Sequence, residues 1–166
     1  MTGKTHIIGG ILAETLFLEA AKSDTKMMAA CVAVAGFAAL IPDIDCPTST
    51  IGKPLFFLSM PINKLCGHRG FFHAPFLYLI LWIAAWTATR HNIFVNAAFI
   101  GIASHLLLDS CNPSGIPWLY PFSKKKQHLA KIYTGKLGDS MVAVIMTIAW
   151  VYLTFPAISQ NMGLSF

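Results

Sequence analysis

Residues 27–45 read MMAACVAVAGFAALIPDID, an apolar run that closes on two aspartates. The run from Met27 to Pro42 has no charged side chain, but it is shorter than the about 20 residues that cross a bilayer. We therefore expect a membrane helix that borrows flanking residues or lies where the bilayer is thinned. Carboxylates at a helix C-terminus oppose its dipole, so Asp43 and Asp45 predict a metal or an arginine nearby, with a solvated turn as the alternative.

The composition of the whole chain is typical of a membrane protein. Its 166 residues are 55% hydrophobic and only 11% charged, against about 25% charged in soluble domains. The mean hydropathy is +0.62. We predict a single domain over residues 1–166, folded as an all-α integral membrane helical bundle with about four or five spans. Besides the first run, the predicted helices are Thr5–Ala21, Phe71–Thr89, Ile93–Asp109 and Met141–Ile158.

The N-terminal helix carries Glu14 in its middle, which argues against a cleaved signal peptide and favours a retained helix. We expect Glu14 to be buried and hydrogen-bonded. Gly9 and Gly10 predict that a neighbouring helix approaches closely. Between the helices, the apolar segment 54–62 is expected to lie along the membrane interface or to dip partway into it.

If successive helices cross the membrane in opposite directions, every group of metal-capable side chains lies on the same side of the membrane. Ionisable groups near lipid are costly unless they are paired or coordinated. The convergence therefore indicates a metal site made of seven side chains, His6, Asp43, Asp45, His68, His73, His105 and Asp109. The same side collects nine basic residues, namely Lys4, Lys53, Lys64, Arg69, Lys124, Lys125, Lys126, Lys131 and Lys136. The opposite side has Lys22, Lys26 and Arg90, so we expect the metal site to face the cytoplasm.

The sharpest local pattern is His105-Leu-Leu-Leu-Asp109, because residues four apart share a helix face about 6 Å apart along the axis. A helix-end aspartate beside a buried histidine is the simpler alternative. Mixed histidine and carboxylate ligands suit zinc, manganese or iron better than calcium. Seven candidates exceed the about three or four protein ligands of one catalytic zinc, so we expect a divalent transition metal, zinc first, with about one to three ions.

Two of the site residues are predicted to take part in chemistry. Asp45 could act as general base for the attacking water. Arg69, between Gly67 and Gly70, could hold a phosphate oxygen through its planar fork of donors, or could instead extend to lipid headgroups. Asp139 could be a ligand, a hydrogen-bond acceptor behind the ligands or a helix N-cap-type anion.

The basic cluster Lys124–Lys126 follows an aromatic stretch, as is typical where a helix bundle meets lipid headgroups. We therefore expect membrane lipids, with anionic headgroups at this loop, rather than nucleic acid as partners. The sequence carries no information on oligomeric state. The four cysteines have no CxxC spacing, which favours free thiols, although Cys46 or Cys111 could be a soft ligand.

The strings LIPDIDCPTSTIGK, GHRGFFHAP and ASHLLLDSCNPSGIPWLYPF, in this order between apolar helices, resemble the YdjM-type family. These are small proteins of the bacterial inner membrane, expected to be metal-dependent hydrolases, with a founding member under LexA control and hence a link to the SOS response. The resemblance implies that the same seven side chains bind metal. The chain departs from the family pattern at Phe72 and Ala74, where the family often has Thr and Ser, and at Cys46, where His is common.

The order of histidines and aspartates also resembles, more distantly, zinc-dependent phospholipase C and related single-strand nucleases. We therefore expect a multi-pass inner-membrane hydrolase of a phosphoester in a lipid or membrane-proximal substrate. The alternatives are a non-catalytic metal-binding membrane protein, such as a transporter or sensor, and a structural membrane protein. A transporter should place ionisable groups at the bilayer midplane, where only Glu14 is expected.

Overall fold

The fold was analysed in a computed structural model that describes residues 1–21 and 25–161. Lys22, and the side chain of Lys26, lie outside the described residues. Within those two ranges the chain forms six α-helices and no β-strand, which confirms the all-α prediction. The helices are α1 (Gly3–Ala20), α2 (Thr25–Ala38), α3 (Phe56–Cys66), α4 (Pro75–Ala88), α5 (Ile93–Ser110) and α6 (Leu137–Asn161).

Three helical stretches are long and apolar enough to cross a membrane, namely Met27–Asp45, Ile93–Ser110 and Leu137–Phe155. The α4 helix is apolar but shorter. These four elements agree roughly with the predicted number of spans.

Helix α1 packs against α2, α5 and α6, while α2 and α4 both pack against α5. Glycines allow the closest of these approaches. A Cβ atom at Gly10 would lie 2.6 Å from the carbonyl oxygen of Ala35, and one at Gly101 would lie 2.1 Å from the same oxygen. Both distances are far below van der Waals contact, so only glycine fits at either position. Close packing at Gly10 matches the expectation for the N-terminal helix.

The first apolar run is not one continuous α-helix. Helix α2 ends at Ala38, and a short 3-10 helix spans Ile41–Asp45. Pro42 explains the break, because proline has no N–H and its ring clashes with the carbonyl four residues earlier in an α-helix. The tighter turn brings Asp43 and Asp45 inward, where both are buried.

The segment predicted to lie at the interface forms helix α3. Its apolar side chains are strongly exposed, with Phe57 93% and Leu65 85% accessible, whereas Ser59 is buried. The Asn63 side chain donates a hydrogen bond to the Asp45 carbonyl oxygen at 2.7 Å and so ties α3 to the 3-10 helix. Placement of α3 along a membrane surface stays a prediction.

The long loop after α5 is fastened to the end of that helix. The N–H of Leu129 donates to the Ser110 carbonyl at 2.7 Å, and the N–H of Ile132 donates to the Cys111 carbonyl at 2.9 Å. This anchoring places the loop over the region between α3 and α4. As a result, Lys126 Nζ donates to the His68 carbonyl oxygen at 3.3 Å.

Candidate metal centre

Asp45 lies at the centre of the first group of candidate ligands. It is fully buried, and its Oδ1 lies 2.7 Å from His68 Nδ1 while its Oδ2 lies 3.0 Å from His73 Nδ1. The N–H of Arg69 also donates to Oδ2, at 3.1 Å. Arg69 has a φ of 59°, in the left-handed region that non-glycine residues rarely adopt. The backbone is therefore bent around this carboxylate.

His73 connects this group to a second one. Its Nδ1 is hydrogen-bonded to Asp45, so its Nε2, on the opposite side of the ring, faces several electronegative atoms. His105 Nε2 lies 3.3 Å from it, Asp109 Oδ2 3.5 Å and Asp43 Oδ1 3.8 Å. Two imidazole nitrogens and two carboxylates thus converge from different parts of the chain.

The tautomer of His105 follows from the hydrogen bond that its Nδ1 makes. Nδ1 lies 2.6 Å from the Ala39 carbonyl oxygen, which can only accept, so the proton is on Nδ1 and the lone pair is on Nε2. Metal-binding histidines are commonly oriented by a backbone carbonyl in this way. Nε2 lies 3.8 Å from Asp109 Oδ2, the four-residue partner predicted from the sequence, and 3.8 Å from Asp43 Oδ1.

Two overlapping sets of side chains have the geometry to hold a metal ion, since within each set one donor atom per residue lies within 4.8 Å of the others. The sets are Asp43, His73, His105 and Asp109, and Asp43, Asp45, His68 and His73. They share Asp43 and His73. Six of the seven predicted side chains are therefore brought together, although their assignment as ligands stays a prediction.

His6, the seventh, lies beside these sets but in neither. Its ring stacks on that of His105 with centroids 3.7 Å apart and planes at 19°. Its Nε2 is 3.3 Å from Asp109 Oδ1, but neither ring nitrogen has a hydrogen-bond partner among the described residues. His6 is thus close enough to complete a shell of ligands after a small shift.

Two positively charged groups lie beside the Asp109 carboxylate. Arg69 Nε lies 2.9 Å from its Oδ2, and the amino nitrogen of Met1 contacts its Oδ1. Arg69 was predicted to hold a substrate anion. In this structure its Nε is directed at Asp109. The Arg69 side chain also lines a cavity of about 720 Å³ that opens beside the candidate ligands.

Asp139 acts as a structural acceptor at the start of α6. The Thr5 hydroxyl donates to its Oδ1 at 2.6 Å, and the N–H groups of Gly135 and Thr2 donate to its Oδ2 at 2.8 and 3.0 Å. None of these donors is a candidate ligand, so the geometry does not match an acceptor behind the ligands, and Asp139 lies in the first turn of α6, as the helix N-cap-type anion does. Asp139 thereby fastens α1 and α6 beside His6.

The expectation for Glu14 was wrong in one respect. The side chain is buried, but neither carboxylate oxygen has a hydrogen-bond partner within the described ranges.

All four cysteines lie in the described part of the chain and are free thiols. Cys46 Sγ lies 3.4 Å from the Thr48 hydroxyl and belongs to neither set of candidate ligands.

Two contacts of the site were missed from the sequence. The Ala39 carbonyl, which orients His105, has no sequence signal because every residue carries a carbonyl. Asn63 lies in a segment chosen for its apolar character, and its bond to the Asp45 backbone depends on how α3 folds back.

The fold and the site together define a class: all-helical membrane proteins with buried histidines and aspartates that could hold a metal ion. The chain belongs to the YdjM inner membrane protein family, whose model matches residues 1–163. YvsG of Bacillus subtilis (strain 168) is 36% identical over 152 residues, which cover 92% of this chain and 93% of YvsG.

The inner membrane protein YdjM of Escherichia coli (strain K12) is 36% identical over 87 residues, which cover 49% of this chain and 44% of that protein. YdjM of Shigella flexneri matches with the same identity and coverage. The chain therefore spans less than half the length of these two relatives. No solved structure matches the chain.

Proposed function

We propose that this protein is a metal-dependent hydrolase of the bacterial inner membrane that cleaves a phosphoester in a lipid or membrane-proximal substrate. One observation carries the proposal: two sets of candidate ligands overlap at Asp43 and His73. A shared carboxylate is the natural bridge between two cations, and pairs of cations about 3.5–4 Å apart are typical of enzymes that cleave phosphoesters.

The donor set fits a divalent transition metal, with zinc as the first choice. Arg69 Nε lies beside Asp109 Oδ2 at 2.9 Å, but the buried Nε2 atoms of His73 and His105 face each other at 3.3 Å, and Asp43 Oδ1 lies 3.8 Å from each of them. Such a cluster of acceptors is costly unless a cation or protons neutralise it. His73, His105, Asp43 and Asp109 would hold one ion, and the set with His68 and Asp45 a second. When bound, the cations would stabilise negative charge on phosphoester oxygens and activate a water nucleophile.

The protein's own side chains would divide the remaining work. Asp45 already accepts hydrogen bonds through both oxygens, so we assign it chiefly the orientation of His68 and His73 rather than the role of general base. Asp43 lines the open cavity beside the site, which suits the bridging role assigned to it. Arg69 would hold Asp109 through Nε and present the rest of its guanidinium to an anion.

We further infer that the chain crosses the membrane several times and that the site faces the cytoplasm. The nine-to-three distribution of basic residues supports this orientation. Regulation within the SOS response, implied only by the family resemblance, stays a prediction.

Metal analysis of the purified protein tests the proposal. We expect bound transition metal in the wild type and a lower metal content in the double variant His105→Ala/Asp109→Ala, which removes two members of the first set and leaves the second set in place. The matched control is His128→Ala, which removes an exposed histidine that belongs to neither set and should retain the metal. Cleavage of a panel of phospholipids and phosphodiesters is then measured with the same three proteins, from the alcohol and the phosphorylated product that hydrolysis of the ester bond releases.

The outcomes separate the alternatives. A wild type without transition metal, or a double variant that retains as much metal as the wild type, contradicts every metal-based function. Metal that is bound with no turnover of any phosphoester would indicate a transporter or sensor instead.

A further inference from the structure

Two cavities meet at the candidate site, and they differ in character. One has a volume of about 720 Å³ and is lined mainly by polar side chains, among them Asp43, Ser49 and Thr134. The other, of about 580 Å³, has a largely apolar wall formed by Leu65, Phe71, Pro117 and Tyr120. A cavity pair of this kind matches a molecule with one polar and one apolar end.

The two cavities share three residues, His68, Arg69 and Lys126. Lys126 is held there by its hydrogen bond to the His68 carbonyl, so its ammonium lies where the cavities join. Arg69 contributes a second positive charge at the same place. His68 links the junction to the candidate ligands through Asp45. An anion at this point would meet two cations and lie next to the metal-capable side chains.

The apolar cavity continues into the exposed apolar surface of α3. Leu65 lines the cavity and is itself 85% accessible, and Phe57 on the same helix is 93% accessible. Phe122, 86% accessible, lies in the loop that carries Lys126 and packs edge-on against Phe76. Large apolar side chains exposed beside lysines are typical of a surface in contact with lipid headgroups and acyl chains.

We propose that the substrate is an anionic phospholipid that enters from the side, with its phosphate between Arg69 and Lys126 and an acyl chain in the apolar cavity. This inference rests on the proposed hydrolase function and names its substrate class. The charge at the junction selects the phosphate, while the apolar wall distinguishes a lipid from free phosphate or a water-soluble ester.

Retention of lipid on the purified protein tests this without depending on turnover. Protein purified in detergent with its native metal content is incubated with equimolar dioleoyl phosphatidic acid and dioleoyl phosphatidylcholine, and each lipid is counted by native mass spectrometry together with any cleavage product that stays bound. We expect phosphatidic acid to be retained in preference. Lys126→Ala should lower its retention about tenfold, as expected for loss of one charge-assisted contact, whereas Lys125→Ala, outside both cavities, should not.

A second pair of variants tests the apolar cavity. Leu65→Gln should lower retention about threefold, while Leu58→Gln, on the same helix but outside the cavity wall, should match the wild type. Excess inorganic phosphate should displace the lipid only weakly.

Equal retention of the two lipids, equal effects of the Lys126 and Lys125 variants, or full displacement by inorganic phosphate would overturn the lipid assignment. Failure of the hydrolase proposal is a different result: no bound metal or no phosphoester cleavage, whatever lipid is retained.

Discussion

The most informative perturbation is Asp45→Asn, which keeps the size of the side chain and changes one oxygen into a donor. Asp45 holds His68 Nδ1 at 2.7 Å and His73 Nδ1 at 3.0 Å, so both imidazoles carry their protons on Nδ1 when they donate to it. An asparagine can accept from only one of them. The other imidazole would then face an N–H group and would have to change tautomer, which places a proton on the nitrogen needed for metal.

The magnitude follows from the role assigned to this carboxylate. Loss of a partner that orients a ligand histidine typically weakens metal binding about 10–100-fold, or about 1.4–2.7 kcal/mol. We expect an effect of this size for Asp45→Asn, measured by competition with a chromophoric zinc chelator. Phosphoester cleavage at saturating metal should fall less, because excess metal offsets the weaker binding and the set with His105 and Asp109 does not include Asp45 itself.

The control is Asp139→Asn, which alters a buried carboxylate at the same end of the bundle that contacts Thr5, Gly135 and Thr2 but no candidate ligand. It should lower the thermal midpoint while leaving zinc affinity within about twofold, a difference below 0.5 kcal/mol. Unchanged zinc affinity in Asp45→Asn, or equal loss in the two variants, would refute the orienting role of Asp45.

Three further predictions address stability, metal and orientation. Gly101→Ala should destabilise the bundle by about 1–3 kcal/mol, because its Cβ would lie 2.1 Å from the rigid Ala35 carbonyl. Gly36→Ala should cost less in the same thermal unfolding assay, since its Cβ would meet only side-chain atoms, those of Ile11 at 3.1 Å and of Ile7 at 3.6 Å. Removal of metal with a chelator should lower the unfolding free energy by about 2.7 kcal/mol if metal was present at 100 times its Kd, and the shift should be smaller in His105→Ala/Asp109→Ala, which keeps only the second set of candidate ligands. A single cysteine introduced at Ser123, with the native cysteines replaced, should react with an impermeant maleimide only after the inner face of the membrane is exposed; labelling from the periplasm would reverse the topology.

The helices were largely predictable because their signals are local. The prediction Ile93–Asp109 is close to the observed Ile93–Ser110. The start of α4 was predicted too early, at Phe71, although Pro75 is a strong signal for the first turn of a helix and the structure begins α4 there. His73 consequently lies in a 3-10 turn before α4, which frees its ring to reach both Asp45 and the end of α5.

The contents of the site were also predictable, but its internal pairing was not. Histidines and aspartates at the ends of apolar runs indicate which side chains are near one membrane surface. They do not indicate that Glu14, deeper in α1, is buried without a hydrogen bond in the described part of the chain, or that Arg69 is directed at Asp109. Those outcomes depend on which neighbours the packing of helices supplies.

The sequence alone determined that the protein is an all-helical membrane protein and at which end of each helix the metal-capable residues lie. Hydrophobic run length and helical periodicity carry that information within about 20 residues. Only the tertiary structure decided that Asp45 holds histidines 23 and 28 residues away, and that a carbonyl 66 residues from His105 sets its tautomer. The reason is that imidazole nitrogens are directional, and their partners depend on the close contact of α1 and α5 with α2 that Gly10 and Gly101 permit at Ala35.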